Sequence, residues 1–233
     1  MVAAALVGAL AAGAYAAYES LEAPTSTFFG RTFTGVAPGR RIVALTYDDG
    51  PNAPDTSRIL DVLKEEGTRA TFFVVGEAAA RDPAVLRRMA REGHAIGNHT
   101  WDHAHLNVLS RAAIDEELGR TDSAIAAATG RRTTIARPPF GARSFTVLDE
   151  LRRRGYTCVL WSVPLADDWD NIDPKTIAQR IIDRTRDGDV IALHDGDRGR
   201  PADRHRVVEA SRLIVRALHA RGLTFVTIPE MLR

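Results

Sequence analysis

Residues 45–51 read LTYDDGP, and they predict the end of a buried strand followed by an abrupt turn. The run Arg41–Thr46 is apolar and β-branched enough to be that strand. The Gly-Pro pair ends it, so Asp48 and Asp49 can both turn toward one site at the strand tip. Two adjacent carboxylates repel each other unless a cation or a proton lies between them. The stretch therefore indicates either a metal site or a solvated turn in which one Asp caps the next helix.

The composition is that of a soluble globular chain. The 233 residues are 45% hydrophobic and 26% charged, which suits one domain with a sizeable core. The formal net charge of +1 gives no electrostatic reason to expect nucleic acid as a partner. Cys158 is the single cysteine, so an internal disulfide and a cysteine-rich zinc site are both excluded.

The N-terminal segment differs from the rest of the chain. Residues Val2–Tyr18 carry no charge and are rich in Ala, Leu, Val and Gly. This pattern favours an export signal or a membrane anchor over residues 1–23, and the alternative is an Ala-rich soluble helix. Residues 24–40 are predicted to be a linker, and residues 41–233 the functional domain.

From Arg41 onward, helical patterns alternate with short apolar runs. Helix patterns end at a glycine six times, and a short apolar run follows each of these glycines. With the first strand this predicts seven strands: Arg41–Asp48, Ala70–Gly76, His94–His99, Thr133–Pro138, Tyr156–Val163, Val190–His194 and Leu223–Ile228. Strict alternation of this kind predicts a parallel sheet with the helices outside it.

An open doubly wound sheet and a barrel both fit that alternation, and the polar residues favour the barrel. They follow the carboxyl ends of five predicted strands, whereas an open sheet would concentrate them at one switch point. The groups are Asp48-Asp49, Asn98-His99, Arg137-Pro138-Pro139, Asp167-Asp168-Trp169 and His194-Asp195. We therefore predict a single-domain α/β barrel of parallel strands.

Two histidines strengthen the metal hypothesis. His99 and His103 are four residues apart, and on a helical turn this spacing places both imidazoles on one face. Two histidines and one carboxylate leave coordination positions open for water, as hydrolytic metal sites do. His105 lies at the wrong spacing to be a ligand. We expect one divalent ion, Zn²⁺ first, with Co²⁺ or Ni²⁺ as alternatives.

The ordered motifs resemble those of the NodB-type polysaccharide deacetylases, carbohydrate esterase family 4. The resemblance covers about residues 41–232. It rests on five segments: Thr46-Tyr47-Asp48-Asp49-Gly50-Pro51, His99-Thr100-x-x-His103, Arg137-Pro138-Pro139-Phe140-Gly141, Asp168-Trp169 and Leu193-His194-Asp195. It implies a distorted (β/α)7 barrel and metal-dependent removal of acetyl groups from polysaccharides.

The resemblance also implies roles for individual residues. Asp49, His99 and His103 resemble the metal ligands. Asp48 resembles the catalytic base, with Arg137 orienting it. These five residues would form the metal-binding and proton-accepting half of the site.

The other half of the site would donate a proton and hold the substrate. His194 resembles the catalytic acid, and either Asp167 or Asp168 would tune it; the Asp168-Trp169 motif favours Asp168. The backbone N–H near Phe140 would help hold the oxyanion. Trp169 and Leu193 would be walls of the acetyl pocket.

The predicted function is therefore metal-dependent deacetylation of an N-acetylglucosamine-containing polysaccharide, such as peptidoglycan or a chitin-like polymer. The alternatives are a non-sugar amidase of the same fold and a catalytically inactive wall-binding module. The apolar N-terminus predicts an exported or anchored protein that faces the cell wall, with membrane contact through that segment. We expect a monomer.

Overall fold

The computed structural model describes residue 13 and residues 23–233. Apart from residues 13 and 23, the predicted signal or anchor segment lies outside this part of the chain. None of the helices in this described part combines the length and the apolar character that a membrane span requires.

Seven parallel strands form the centre of the domain, which confirms the prediction of a parallel α/β fold. Each lies within its predicted run, although several are only two residues long. They are β1 (Ile42–Asp48), β2 (Thr71–Val74), β3 (Ala95–Asn98), β4 (Ile135–Ala136), β5 (Thr157–Cys158), β6 (Val190–His194) and β7 (Thr224–Phe225). The spatial order is β5-β4-β3-β2-β1-β6, and β7 pairs with the start of β1.

Helices connect the strands and pack around the sheet. They are α1 (Asp55–Glu65), α2 (Gly76–Arg81), α3 (Pro83–Arg91), α4 (Arg111–Thr129), α5 (Phe145–Arg153), α6 (Pro174–Arg184), α7 (His205–Ala220) and α8 (Ile228–Met231). α4 shows how local sequence sets the bounds. The Ser110 side chain accepts a hydrogen bond from the backbone N–H of Ala113, and Gly130 ends the helix in the left-handed conformation.

The sheet curls into a half-barrel, as the predicted distorted barrel requires. β5 and β6 lie at the two ends of the strand order, and loop hydrogen bonds connect them. The N–H of Ser162, beyond β5, donates to the carbonyl of Val190 in β6 over 3.1 Å. Within the predicted linker, the Phe33 N–H donates to Cys158 O over 2.8 Å, and the Val36 N–H donates to Gly188 O over 2.9 Å. Residues 33–36 therefore pack as part of the domain.

Strand β1 shows how the fold separates core from site. All seven of its residues are buried, and alternate side chains point to opposite faces. Tyr47 points toward the helices, where its hydroxyl donates to Ser211 Oγ of α7 over 2.8 Å. Thr46 and Asp48 point to the other face, where both contact Arg137. All the strands run in parallel, so their carboxyl ends deliver polar side chains to one edge of the sheet.

Candidate active site

One cavity of about 510 Å³ lies at the carboxyl ends of the strands. Its lining includes most of the site residues predicted from the sequence. The lining residues are Asp48, Asp49, His99, His103, Pro138, Phe140, Trp161, Leu165, Trp169, His194, Asp197, Arg198 and Arg204. Five of these, namely Trp161, Leu165, Asp197, Arg198 and Arg204, lie outside the motifs found in the sequence.

Asp49, His99 and His103 form a group that can hold a metal ion. One ligand atom from each lies within 4.8 Å of the others. His103 Nε2 is 3.0 Å and His99 Nε2 is 3.4 Å from Asp49 Oδ1. Asp49 Oδ1 and His103 Nδ1 are nevertheless buried without a hydrogen-bond partner among the described residues. Buried polar atoms rarely lack a partner, and the orphaned Asp49 Oδ1, which faces both imidazoles, fits a cation site.

The protonation states also suit a metal. Burial opposes ionisation of Asp49, but the two imidazoles outweigh it and hold its pKa well below the usual range. Burial lowers the pKa of His103 below its ordinary value, although Asp49 partly opposes this. His99 Nδ1 lies 2.7 Å from the carbonyl oxygen of Arg137, which can only accept, so Nδ1 carries the proton and Nε2 is left with its lone pair.

His99 and His103 lie close together, but not on a helical turn as their spacing predicted. Residues 99–103 form a bent loop, not a helical turn. Thr100 and His103 adopt left-handed backbone conformations, with φ of 67° and 64°. Residues other than glycine rarely adopt this conformation, so the surrounding contacts must hold Thr100 and His103 in place.

Two side chains hold this loop from behind. The Asn98 Oδ1 accepts the Thr100 N–H over 2.9 Å, while Asn98 Nδ2 donates to Tyr156 Oη over 3.1 Å. Glu117 Oε2, on α4, accepts the Trp101 N–H over 2.8 Å. Asn98 lies at a predicted strand tip, but its sequence position predicts no role for it. Glu117 carries no local signal that distinguishes it from a surface acid.

Asp48 lies next to the metal-binding group and pairs with a buried cation. Its Oδ1 accepts a hydrogen bond from Arg137 Nη1 over 2.7 Å. Arg137 is 1% exposed, and it also donates to Thr46 Oγ1 over 2.8 Å. Its guanidinium lies 4.2 Å from the centre of the Phe73 ring. Arg137 is thus fixed in place and orients the Asp48 carboxylate.

His194 pairs with Asp168. Asp168 Oδ1 lies 2.9 Å from His194 Nδ1, and Asp168 Oδ2 accepts the His194 backbone N–H over 2.7 Å. Burial opposes protonation of His194, but Asp168, aided by Asp48 and Asp49, outweighs it and raises the pKa to about 9. Asp167 instead accepts from Arg180 over 3.0 Å. Of the two carboxylates left open by the sequence, the structure places Asp168 against His194.

Two of the three predicted substrate-binding residues line the cavity, and the third does not. Phe140 and Trp169 line the cavity and are exposed, and the Trp169 ring lies edge-on to His194 with 5.2 Å between the ring centres. The His105 ring, which is not in the metal-binding group, stacks on Phe140 at 3.8 Å.

The prediction of Leu193 as a pocket wall is wrong. Leu193 is fully buried in the main hydrophobic core and does not line the cavity. Adjacent strand residues point to opposite faces, so Leu193 must face away from the side that carries His194. Leu165 and Trp161 are apolar residues that do line the cavity.

Asp195 supports the turn that carries Asp49. It is buried, and it accepts hydrogen bonds from the Gly50 N–H over 3.2 Å and from the Thr56 hydroxyl over 2.5 Å. A Cβ on Gly50 would lie 2.1 Å from this carboxylate, so the turn needs glycine there.

Comparisons with known proteins agree with this geometry. Residues 35–159 match the polysaccharide deacetylase family model. The chain is 36% identical over 197 residues to the peptidoglycan-N-acetylmuramic acid deacetylase PdaC of Bacillus subtilis, covering 84% of the chain and 40% of that relative. It therefore spans about two fifths of the length of that protein.

Two further similarities extend over most of the partner's length. A chitooligosaccharide deacetylase of Rhizobium leguminosarum is 34% identical, with 82% of this chain and 91% of the relative covered. The crystal structure of the Bc1960 peptidoglycan N-acetylglucosamine deacetylase superposes with a TM-score of 0.81 at 32% identity, covering 86% of this chain and 91% of that one. The match confirms the resemblance found in the sequence, and the chain belongs to the polysaccharide deacetylase family.

Proposed function

We propose that this chain hydrolyses the acetamide group of N-acetylglucosamine units in peptidoglycan or a chitin-like polysaccharide and releases acetate. One observation carries the proposal: a single cavity is lined by the Asp49–His99–His103 group, the Asp48 carboxylate and His194, and Asp168 pairs with His194 from behind. Family membership and the deacetylase names of the relatives support this substrate class.

Asp49, His99 and His103 would hold one divalent ion, with Zn²⁺ the first expectation and Co²⁺ or Ni²⁺ the alternatives. A bound ion of this kind supplies a Lewis acid for the acetamide carbonyl and lowers the pKa of water toward ~7. Asp49 is anionic and His99 presents Nε2, so both side chains are in the state that binds a metal ion.

Asp48 is the proposed general base. Its carboxylate pairs with Arg137, and it faces the same cavity as the metal-binding group. It would accept a proton from the attacking water as the new C–O bond forms. Arg137 has hydrogen bonds to other groups besides Asp48, so it can hold the carboxylate in one orientation throughout the reaction.

His194 is the proposed general acid. Its pKa of about 9 means that the imidazole is protonated at neutral pH. It would donate that proton to the sugar nitrogen as the C–N bond breaks, which releases the amine and acetate. Asp168 holds Nδ1, so Nε2 is the nitrogen that would donate.

The cavity walls are proposed to position the sugar and the acetyl group. The turn at Phe140 has φ of 60°, and its backbone N–H is the proposed donor to the developing oxyanion. The exposed ring of Trp169 can stack on a sugar face, whereas Leu165 and Trp161 can contact the acetyl methyl group. Export or anchoring through the N-terminal segment would bring this site to the cell wall.

Acetate release from a panel of acetylated glycans and small amides, with and without chelator, tests the proposal. We expect chelator-sensitive release from N-acetylglucosamine oligomers that rises with chain length. Faster turnover of a small non-sugar amide would favour the amidase alternative. No release from any substrate, by protein loaded with metal, would favour the inactive binding module.

A further inference from the structure

Arg204 is a buried cation at the wall of the active-site cavity. It is 7% exposed, and it lines the cavity together with Asp48 and His194. Its Nε donates to the carbonyl of Gly196 over 2.8 Å. Among the described residues, its two Nη groups have no hydrogen-bond partner and the guanidinium forms no ion pair. The charged end of the side chain is therefore left available to the cavity.

Asp55, Asp195 and Asp197 contact Arg204 or lie on the preceding loop, and none of them forms an ion pair with its guanidinium. Asp55 Oδ2 accepts the backbone N–H of Arg204 over 2.7 Å, but its other oxygen pairs with Arg58 over 3.0 Å. Asp195 is held by Thr56 and the turn after Asp49. Asp197 lines the same cavity without an ion pair to Arg204. The guanidinium therefore forms no ion pair with a carboxylate in the described part of the chain.

Arg204 is anchored close to the reacting centre. Gly196, whose carbonyl it holds, packs so tightly against the metal-ligand turn that a Cβ there would lie 2.4 Å from Asp49 O. Gly196, which accepts the hydrogen bond from Arg204, is therefore in direct backbone contact with Asp49. Because Arg204 lines the same cavity as Asp48 and His194, a group that it binds would lie on the sugar being deacetylated or on its neighbour.

A second cation lines the same cavity. Arg198 is exposed, and its guanidinium lies 5.3 Å from the centre of the Phe140 ring. Among the residues with described side chains it forms no ion pair. Two guanidinium groups that lack carboxylate partners therefore face one substrate cavity.

We propose that Arg204, with Arg198 at the rim, binds a carboxylate group of the glycan. This inference rests on the proposed deacetylase function and narrows its substrate. A guanidinium stays charged and is costly to bury without a counter-charge, and a carboxylate can satisfy it with two parallel hydrogen bonds. A neutral N-acetylglucosamine polymer offers no such group. The lactyl ether of a muramic acid unit and a hexuronic acid both do.

The first test uses the metal-loaded wild-type enzyme. Substrates of matched length are a neutral N-acetylglucosamine oligomer, peptide-free peptidoglycan strands with free lactyl carboxylates, and an oligomer of alternating N-acetylglucosamine and hexuronic acid. Each acidic substrate is also tested as its methyl ester. We expect esterification to lower kcat/KM about 10-fold or more for one acidic substrate, which identifies the source of the carboxylate.

Equal kcat/KM for acid and ester in both series would overturn the inference but leave the deacetylase proposal intact. Acetate release from none of the substrates would instead reject the proposed function. The two failures are therefore distinguishable.

The second test asks whether Arg204 causes the preference for the acid over its methyl ester. In Arg204→Gln, the ratio of kcat/KM for acid over ester should fall to near 1. The control is Arg212→Gln on α7, because Arg212 pairs with Glu65 and Glu66 away from the cavity; it should keep the wild-type ratio. A purely structural Arg204 would lower acid and ester turnover equally, and an unchanged ratio would overturn the assignment. If Arg204→Gln fails to fold, Arg204→Lys and the wild-type comparison of acid with ester still decide whether the cavity binds a carboxylate.

Discussion

The carboxylate of Asp168 holds His194 at two points. One oxygen lies 2.9 Å from Nδ1 of the imidazole, and the other accepts the His194 backbone N–H over 2.7 Å. The pair therefore sets both the orientation of the ring and its affinity for a proton. A histidine held this way remains a proton donor well above the pH at which a free histidine loses its charge.

Replacing Asp168 should move the alkaline limit of activity to lower pH. The pKa of His194 is raised to about 9, so the acid form persists to that pH and is lost above it. Asp168→Asn removes the strongest influence that raises the pKa and should shift the alkaline limb of kcat downward by roughly two pH units. The measurement is the pH dependence of kcat for the metal-loaded enzyme. Asp167→Asn is the matched control, because Asp167 pairs with Arg180, and an unmoved limb in Asp168→Asn would contradict the proposed acid.

Replacing Asp48 should separate proton transfer from metal binding. Asp48→Asn keeps an acceptor for Arg137 but cannot take up a proton, so kcat should fall roughly 10²- to 10⁴-fold. Metal content, measured by elemental analysis, should stay near one ion per chain. His99→Ala is the comparison, and it should lose metal and activity together. Loss of metal from Asp48→Asn would mean that Asp48 is itself a ligand.

Leu193 and Leu165 should respond in opposite ways to truncation. Leu193 lies in the core, so Leu193→Ala should lower the free energy of unfolding by about 2–5 kcal/mol without changing the preference for acetyl over propionyl substrates. Leu165 lines the cavity, so Leu165→Ala should enlarge the pocket and raise relative turnover of the propionyl substrate several-fold. Denaturant titration and competition assays measure the two effects. A change of acyl preference in Leu193→Ala would restore its predicted role as a pocket wall.

Asn98 should control metal affinity although it is not a ligand. It holds the left-handed Thr100 between the two histidines proposed as ligands, so Asn98→Ala should weaken metal binding roughly 10- to 100-fold. Tyr156→Phe removes a single hydroxyl from the same network and should have a smaller effect. Competition against a chromophoric chelator gives both affinities. Equal affinity in Asn98→Ala and wild type would show that the loop holds its shape without this side chain.

His94 should make the domain less stable in acid. It is buried, and its Nδ1 accepts the Ala70 N–H over 3.1 Å, so the folded state requires the neutral ring. Burial lowers its pKa to about 4, below the ordinary 6.5. The unfolded chain therefore binds a proton first, and stability falls as pH falls from about 6.5 to 4, by about 3 kcal/mol from this group.

Urea titrations with chelator present isolate this effect from metal release. His94→Gln should flatten the dependence of stability on pH over that range, whereas the exposed His205 serves as a control whose replacement should not. An unchanged slope in His94→Gln would assign the acid sensitivity to other groups.

The sequence alone determined the plan of the fold and most of the site. Apolar runs separated by glycine-capped helices predicted seven parallel strands, because strand and helix periodicity are local properties of the chain. Polar residues directly after strand tips predicted where the site lies, because parallel strands bring their carboxyl ends to one edge. For this reason Asp48, Asp49, His99, Arg137 and His194 could be named before the structure was known.

The tertiary structure decided everything that depends on contacts between distant segments. It placed Asp168 rather than Asp167 against His194, and it brought Arg204 and Leu165 to the cavity although neither lies in a motif. It also showed that His99 and His103 converge through a strained loop, which spacing cannot reveal. The position of Leu193, in contrast, could have been predicted from the sequence, because strand alternation next to His194 places Leu193 in the core. The other cases depend on packing, which a periodic pattern in one segment does not encode.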